Sequence, residues 1–249
     1  MQKLYAAFLA LGVLFAVLVG QNLVGTFISA DRMLNAGASD PVNQPTDAEY
    51  ERVTRLVAAI GVAAGQDADW SPSIVIKAST VLQAYATNGE IGVTTGLLRI
   101  LNDEELSFVM AHEVTHMLEE HLFDVILLRL AVLFSSAVLC LAAIGGAIAL
   151  FVPSARKQWA MTLWAISLVC AGSMYVNSKV SVANEWSADR GAVMLTQNPE
   201  AGARSFEKMI AAAKANTSTR PNYMLGEQVM GTLFPSHPPI RERIAALRQ

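Results

Sequence analysis

The most prominent feature of the chain is a set of three long runs of hydrophobic positions, at 4–24, 125–152 and 159–176. Runs of about 20 apolar residues can cross the hydrocarbon core of a bilayer as helices. Only the polar hinge 153–158 separates the second run from the third, which predicts a transmembrane helical hairpin. A buried helix pair in a water-soluble core is the alternative, although the second run is longer than most globular helices.

The first run predicts an uncleaved N-terminal membrane anchor. A signal peptide is the alternative, but the best small-residue cleavage motif, at 36–38, lies far beyond the apolar run. Positive charges mark the hinge, with Arg156 and Lys157, and the N-terminus, with Lys3. Because such charges stay preferentially in the cytoplasm, we expect the large polar segments on the opposite side. These features together predict an integral protein of a bacterial inner membrane.

Shorter periodic patterns in the polar segments predict a small sheet followed by a helix. Apolar positions at helical spacing predict a helix over 46–64. Asn88-Gly89 is a strong signal for a two-residue hairpin turn. Asn102, followed by three acidic residues, resembles a capping box at the start of another helix. The β-forming segments are 73–78, 81–86 and 91–95. We therefore predict an α+β fold that is mainly helical.

The helix that begins after Asn102 carries the sequence HEVTH, in which His112 and His116 lie four residues apart. Side chains at this spacing lie on one face of a helix, so the two imidazoles can share a cation. Glu113 projects beside that position, where its carboxylate can accept a proton from a water molecule that zinc acidifies. Two unrelated helix histidines are the alternative. The spacing favours a hydrolytic zinc site with Glu113 as general base.

A catalytic zinc ion requires a third protein ligand, and two candidates follow the motif. His121 is near in sequence but lies well round the helix from the other histidines, which favours a role outside the ligand set. Glu185 and Asp189 lie one turn apart on a later helical stretch, so one carboxylate can bind zinc while the other orients an imidazole. Two surface acids that answer Arg190 are the alternative. Glu185 is favoured because the hairpin returns it to the membrane surface that carries His116.

Composition agrees with a membrane protein and excludes one large class. The chain is 53% hydrophobic and 16% charged, with a mean hydropathy of +0.38. A net charge of -3 without a basic cluster gives no surface for nucleic acid. Cys140 and Cys170 both lie in apolar runs, so we interpret them as packing residues and not as a disulfide framework.

Six stretches carry a resemblance to a known group of proteins: Thr94–Leu98, Asn102–Leu106, Ala111–His116, Glu185–Asp189, Ser236–Pro239 and Arg241–Leu247. With the intervening hairpin, they resemble the HtpX and CAAX prenyl protease superfamily of membrane metallopeptidases from about residue 46 onward. The resemblance implies a gluzincin fold with Glu185 as third ligand and Asp189 behind it. It also implies that His237 donates a hydrogen bond to the oxyanion of the attacked peptide carbonyl. A turn or helix-capping histidine is the alternative for His237.

Two features depart from the pattern of that superfamily. Gln83 stands where its members have asparagine, in a strand expected near the substrate. The single N-terminal span differs from the two spans of HtpX-like members, so their membrane topology is not carried over.

We therefore predict a membrane-embedded zinc metalloendopeptidase with one zinc ion per chain, its catalytic part outside the cytoplasm. Its expected substrates are unfolded or membrane-associated proteins and peptides, handled in protein quality control. The strand 91–95 is expected to be a sheet edge that pairs with extended substrate backbone. A zinc-containing scaffold or holdase without proteolytic activity and a prenyl-peptide processing protease are the alternatives. The lipid bilayer is the other expected partner, and nothing in the sequence indicates an oligomeric state.

The predicted domain organisation follows from the three runs and the two parts of the ligand set. A hairpin inserted between the ligand helices divides the peptidase domain into two parts. The predicted boundaries are 1–30 for the anchor, 31–124 for the first peptidase part, 125–178 for the hairpin and 179–249 for the second peptidase part.

Overall fold

The computed structural model describes the backbone of residues 1–34, 38–87, 89–119, 121–215 and 232–249, and the side chains of these residues except 23–34 and 121–125. The chain divides into two compact units. The helical unit comprises Met1–Ser29, Asp124–Ser181 and Asn222–Ser236. The sheet unit comprises Ala30–Phe123, Val182–Pro221 and His237–Gln249. Each unit is therefore built from segments that are distant in sequence.

The described residues contain eight α-helices, one short 3-10 helix (Pro41–Asn43) and three strands. The helices are α1 (Gln2–Leu34), α2 (Asp47–Ala63), α3 (Thr95–Ile100), α4 (Asp103–Leu118), α5 (His121–Ala149), α6 (Arg156–Thr196), α7 (Pro199–Ala215) and α8 (Ile240–Leu247). The strands are β1 (Ser73–Lys77), β2 (Ala84–Thr87) and β3 (Glu90–Thr94). The prediction of a mainly helical α+β chain with a small sheet is confirmed.

The helical unit is formed by α1, α5 and the N-terminal part of α6, which pack through aliphatic side chains. Leu9, Leu139 and Leu163 are fully buried between these helices. The indole nitrogen of Trp164 donates a hydrogen bond to the carbonyl oxygen of Phe8 at 2.9 Å. This contact satisfies the indole N–H without water, as an apolar environment requires.

Large apolar side chains also cover the outside of the helical unit. Phe134, Leu141 and Leu168 are 74%, 70% and 69% exposed. Such a surface is unfavourable in water and favourable in lipid. All three helices of this unit are long and apolar enough to cross a membrane. The prediction of long apolar helices is therefore confirmed, and α6 continues without a break beyond the third apolar run of the sequence.

The sheet has the strand order β1-β3-β2, in which β1 and β3 are parallel and β2 and β3 are antiparallel. Gly89 lies in the turn between β2 and β3 with φ of 82°, a left-handed conformation that favours glycine. Asn88, the other predicted turn residue, lies outside the described residues. The prediction that strand 91–95 forms a sheet edge is wrong, because β3 uses both of its edges to pair with neighbouring strands.

Local capping and close helix packing explain the rest of the sheet unit. Thr46 and Asn102 cap α2 and α4, each in a capping box with the glutamate three residues later. Both helices pack on the sheet face that carries Ile91. Gly202 allows α7 to approach α4 closely, because a Cβ there would lie 2.5 Å from the ring of Phe108. The short helix α3, which the periodicity does not predict, joins the sheet to α4.

Candidate metal centre

The two histidines of the HEVTH sequence lie side by side on α4. The Nε2 atoms of His112 and His116 are 3.1 Å apart. His112 is buried and His116 is half-buried, so the pair lies at the border of the core of the sheet unit. The capping box at Asn102 fixes the start of α4, and the fully buried Leu106 anchors the helix in the core. These contacts fix the helix on which both imidazoles lie.

The structure brings Glu185, on α6, to these two imidazoles. One carboxylate oxygen lies 3.6 Å from Nε2 of His112, and the other lies 3.6 Å from Nε2 of His116. A glycine explains the short distance between the two helices: a Cβ on Gly191 would lie 2.4 Å from the side chain of Thr115. Helix α6 therefore approaches α4 closely one to two turns beyond Glu185.

The donor atoms of His112, His116 and Glu185 lie within 4.8 Å of one another. Atoms that bind a tetrahedral zinc ion at about 2.1 Å lie roughly 3.4 Å from one another. The two Nε2 atoms are 3.1 Å apart, and each lies 3.6 Å from a different carboxylate oxygen of Glu185, which is close to this requirement. Two imidazoles and one carboxylate are also a donor set that zinc accepts. The cluster is therefore consistent with a metal site.

Asp189 lies behind the cluster, where the sequence predicts it. Its Oδ1 is 3.0 Å from Nδ1 of His112. Because a carboxylate accepts hydrogen bonds, this contact favours the proton of His112 on Nδ1 and leaves the lone pair of Nε2 directed at the cluster. Asp189 is therefore suited to hold this imidazole in the orientation and the tautomer that a metal ligand requires.

Arg243, on α8, is a member of the site in addition to the residues predicted from the sequence. Its Nε and Nη2 donate hydrogen bonds to the two carboxylate oxygens of Asp189 at 2.7 and 2.6 Å. Its Nη1 lies 3.0 Å from Oε2 of Glu185. The guanidinium also stacks over Phe206, 4.4 Å from the ring centroid. One buried cation thus contacts both carboxylates of the site.

A signal for Arg243 is present in the sequence of α8. Ile240, Ile244 and Leu247 recur at helical spacing and define its apolar face. Arg243 falls on that same face, where a charged side chain is unfavourable unless it has a partner. The two acids of α6 are that partner. Burial by itself would lower the pKa of Arg243, but the contacts with Asp189 and Glu185 more than offset this effect and raise the pKa.

His237 also reaches the cluster. Its Nδ1 lies 2.9 Å from Oε1 of Glu185. Its side chain is 65% exposed, which makes it the most accessible residue of the group. His121, the other histidine considered as a ligand, has its side chain outside the described residues.

Glu113 is buried beside the two histidines on α4. Burial raises the pKa of its carboxyl group, and the nearby imidazoles of His112 and His116 oppose that change only in part. A carboxylate whose pKa lies above its usual range binds a proton more readily.

A His-His-Glu cluster at the border of the core, with a buried acid beside it, is the arrangement of a metallopeptidase centre. The model of Peptidase family M48 matches residues 46–249. The chain is 33% identical over 226 residues to a protease HtpX homologue of Dictyoglomus turgidum, which covers 83% of this chain and 72% of the relative. It is 30% identical over 204 residues to a protease HtpX homologue of Streptococcus equi subsp. equi, and this match covers 71% of this chain and 67% of that relative.

The chain belongs to peptidase family M48. The resemblance that the motifs carry is thereby confirmed. With the three apolar helices, this membership identifies the chain as a membrane protease of a metallopeptidase family.

Proposed function

We propose that the chain is a zinc-dependent endopeptidase of gluzincin type. His112, His116 and Glu185 converge with the buried carboxylate of Glu113 beside them, and this convergence supports the proposal. In this proposal the three residues hold one zinc ion per chain. A structural zinc site has no need of an additional acid at that position, so Glu113 favours an enzyme over a zinc-containing scaffold.

Each residue of the site has a distinct role in the proposed hydrolysis. Zinc, when bound, supplies a Lewis acid that polarises a peptide carbonyl and acidifies a water molecule. Glu113 accepts the proton of that water and passes it to the leaving amine. Asp189 orients His112, and Arg243 holds Asp189 and Glu185 together. His237 donates from Nε2 to the oxyanion, because its Nδ1 is engaged by Glu185.

The substrate is proposed to be an extended polypeptide segment, as in an unfolded or membrane-associated protein. Among the described residues, β2 pairs only with β3, so its other edge has no strand partner. β2 also packs against α4, which carries the two histidines. An extended backbone can add to such an edge through main-chain hydrogen bonds that depend little on sequence. This mode of binding suits a role in protein quality control. It assigns to β2 the pairing with substrate backbone that the sequence predicts for β3.

The membrane arrangement is a further part of the proposal. We propose an anchor at 1–30, a transmembrane hairpin at 125–178 and a peptidase domain assembled from 31–124 and 179–249. The positive charges at 3, 156 and 157 support a bacterial inner membrane protein with its peptidase domain on the extracytoplasmic side. External protease added to intact spheroplasts should then degrade the peptidase domain, whereas protection of that domain would contradict this orientation.

Removal and restoration of the metal test the proposed activity. The full chain in detergent should cleave unfolded casein, lose this activity on treatment with a chelator, and recover it with about one equivalent of zinc. Parallel assays with a compact protein and a farnesylated peptide distinguish the substrate classes. Preference for the farnesylated peptide would indicate a prenyl-peptide processing protease, and zinc binding without any cleavage would indicate a scaffold.

A further inference from the structure

The ring of Tyr85, on the edge strand β2, lies over the neighbouring strand β3. Tyr85 is the register partner of Gly92 in the antiparallel pair. A Cβ on Gly92 would lie 2.0 Å from Cζ of the Tyr85 ring, so only glycine leaves room for the ring. Aromatic residues that cover a cross-strand glycine stabilise the pairing of the two strands.

The ring of Tyr85 is also held by charged residues of both other strands. Its hydroxyl donates a hydrogen bond to Oε1 of Glu90, on β3, at 3.0 Å. Nζ of Lys77, on β1, lies 4.8 Å from the ring centroid, in a cation–π contact. Burial, together with the bond to Glu90, raises the pKa of Tyr85 to about 12, so the hydroxyl keeps its proton at neutral pH. We call Lys77, Tyr85, Glu90 and Gly92 the Tyr85 clamp.

The Tyr85 clamp lies on the sheet face that does not contribute to the core. Side chains alternate along a strand, and the neighbours Ile76, Ala84 and Ile91 belong to the core or pack against it. The clamp therefore does not fill the hydrophobic core. β2 has only four residues, and its backbone pairs with one strand among the described residues. A strand so short and paired on one side needs additional contacts to stay ordered.

We propose that Tyr85 is a positioning residue that holds β2 in the conformation required to receive extended substrate backbone. This inference rests on the proposed function, in which β2 is the edge that pairs with substrate. A preordered edge binds substrate without first losing conformational freedom, so binding is stronger. The chemical step at the metal centre does not depend on this order. Loss of the clamp should therefore raise KM and leave kcat nearly unchanged.

The test compares Tyr85→Ala with the wild-type full chain in detergent, using unfolded casein as substrate. We expect KM to rise about tenfold and kcat to change less than about twofold, with unchanged zinc content. Amide hydrogen exchange should accelerate in 84–87 and stay unchanged in α4. Tyr50→Ala is the matched control, because Tyr50 lies on α2 and takes no part in the clamp. It should leave both kinetic constants and the exchange of β2 unchanged.

The contact between Tyr85 and Glu90 is tested by Tyr85→Phe, Glu90→Gln and the double variant. Each single variant should raise KM by about twofold to threefold, and the double variant should do no more than the larger single effect. Unchanged exchange in β2 of Tyr85→Ala would overturn the clamp. Faster exchange without a rise in KM would show a purely structural role, and a fall in kcat or in zinc content would place Tyr85 in the metal centre instead.

The same variant can be tested without catalysis, which separates this inference from the proposed function. Labelled unfolded casein should bind the Glu113→Gln chain, and addition of Tyr85→Ala should weaken that binding about tenfold. Absence of casein cleavage by the wild-type chain would overturn the peptidase proposal but not this binding result. Equal casein affinity of Glu113→Gln and of the double variant with Tyr85→Ala would overturn the positioning role of Tyr85, even if the wild-type chain is an active peptidase.

Discussion

Two buried glutamates lie roughly two turns apart on α4, and they have opposite surroundings. The side chain of Glu105 is 1% exposed and accepts hydrogen bonds from Nζ of Lys208 at 2.7 Å and from the backbone N–H of Asn102 at 2.9 Å. Burial by itself would raise the pKa of Glu105, but these bonds more than offset it and lower the pKa. Glu105 is thus a carboxylate held in its charged form for structural reasons.

Glu113 is also buried, but its charged neighbours are the residues of the candidate metal centre. Burial therefore dominates and raises the pKa of its carboxyl group. A buried acid is thus not by itself a sign of catalytic chemistry. A basic partner and a capping role mark Glu105 as part of the fold, whereas Glu113 lies among the residues of the candidate metal centre and is the proposed base.

The same substitution at the two positions tests this comparison with the largest expected effect. Glu113→Gln removes the proposed base, so kcat on unfolded casein should fall about 10²–10⁴-fold with unchanged zinc content and melting temperature. Glu105→Gln is the matched control on the same helix. It should lower the melting temperature and leave kcat unchanged. Equal loss of activity in both variants would contradict the division of roles.

Replacement of Arg243 tests whether the two acids on α6 depend on their buried cation. Arg243→Gln removes the partner of both Glu185 and Asp189, so zinc affinity should fall about 10–100-fold. Competition with a chelator of known affinity measures this change. Arg243→Lys keeps the charge but not the paired donors, so its zinc affinity should lie between that of the wild-type chain and that of Arg243→Gln. Unchanged affinity in Arg243→Gln would mean that the ligands are held without it.

Replacement of Lys208 should affect stability and not chemistry. Lys208→Met keeps most of the apolar side chain but leaves Glu105 with Arg204 as its remaining basic neighbour, at 3.7 Å. The side chain of Lys208 is 44% exposed, so water weakens the ion pair. We expect a loss of about 1 kcal/mol in unfolding free energy, measured by thermal unfolding in detergent. A change in kcat at saturating casein would show that α4 transmits strain to the metal centre.

The pH dependence of stability gives the smallest expected effect. Because the pKa of Glu105 is lowered from 4.5 in the folded state, its contribution is complete above that value and is lost as pH falls through the folded pKa. The difference in melting temperature between the wild-type chain and Glu105→Gln should therefore be constant near neutral pH. It should shrink below about pH 4.5. A difference that grows on acidification would show that Glu105 is destabilised when charged.

Sequence patterns predict the local features of this protein well. The capping box at Asn102, the spacing of His112 and His116 and the later pair Glu185 and Asp189 all depend on neighbours within one or two helical turns. Helical geometry fixes such relations whatever the tertiary fold. Hydropathy is also a local property of the sequence, so it is sufficient to predict the long apolar helices.

Features that depend on distant partners are not predictable in this way. The central position of β3 results from its parallel pairing with β1, which no local turn encodes. The partners of Arg243 precede it by more than fifty positions, so local patterns do not predict these contacts, and only the folded chain brings the residues together. The continuous helix α6 joins an apolar run to a polar one, and the helical backbone shows no break where the two runs meet.

We expect His112, His116 and Glu185 together to hold one zinc ion. Diffraction from crystals of the zinc-loaded full chain, measured at the zinc absorption edge, tests it most directly. We predict one anomalous peak per chain, about 2.1 Å from both Nε2 atoms and from a carboxylate oxygen of Glu185. A peak elsewhere, or none between these residues in a chain that contains zinc, would contradict the claim.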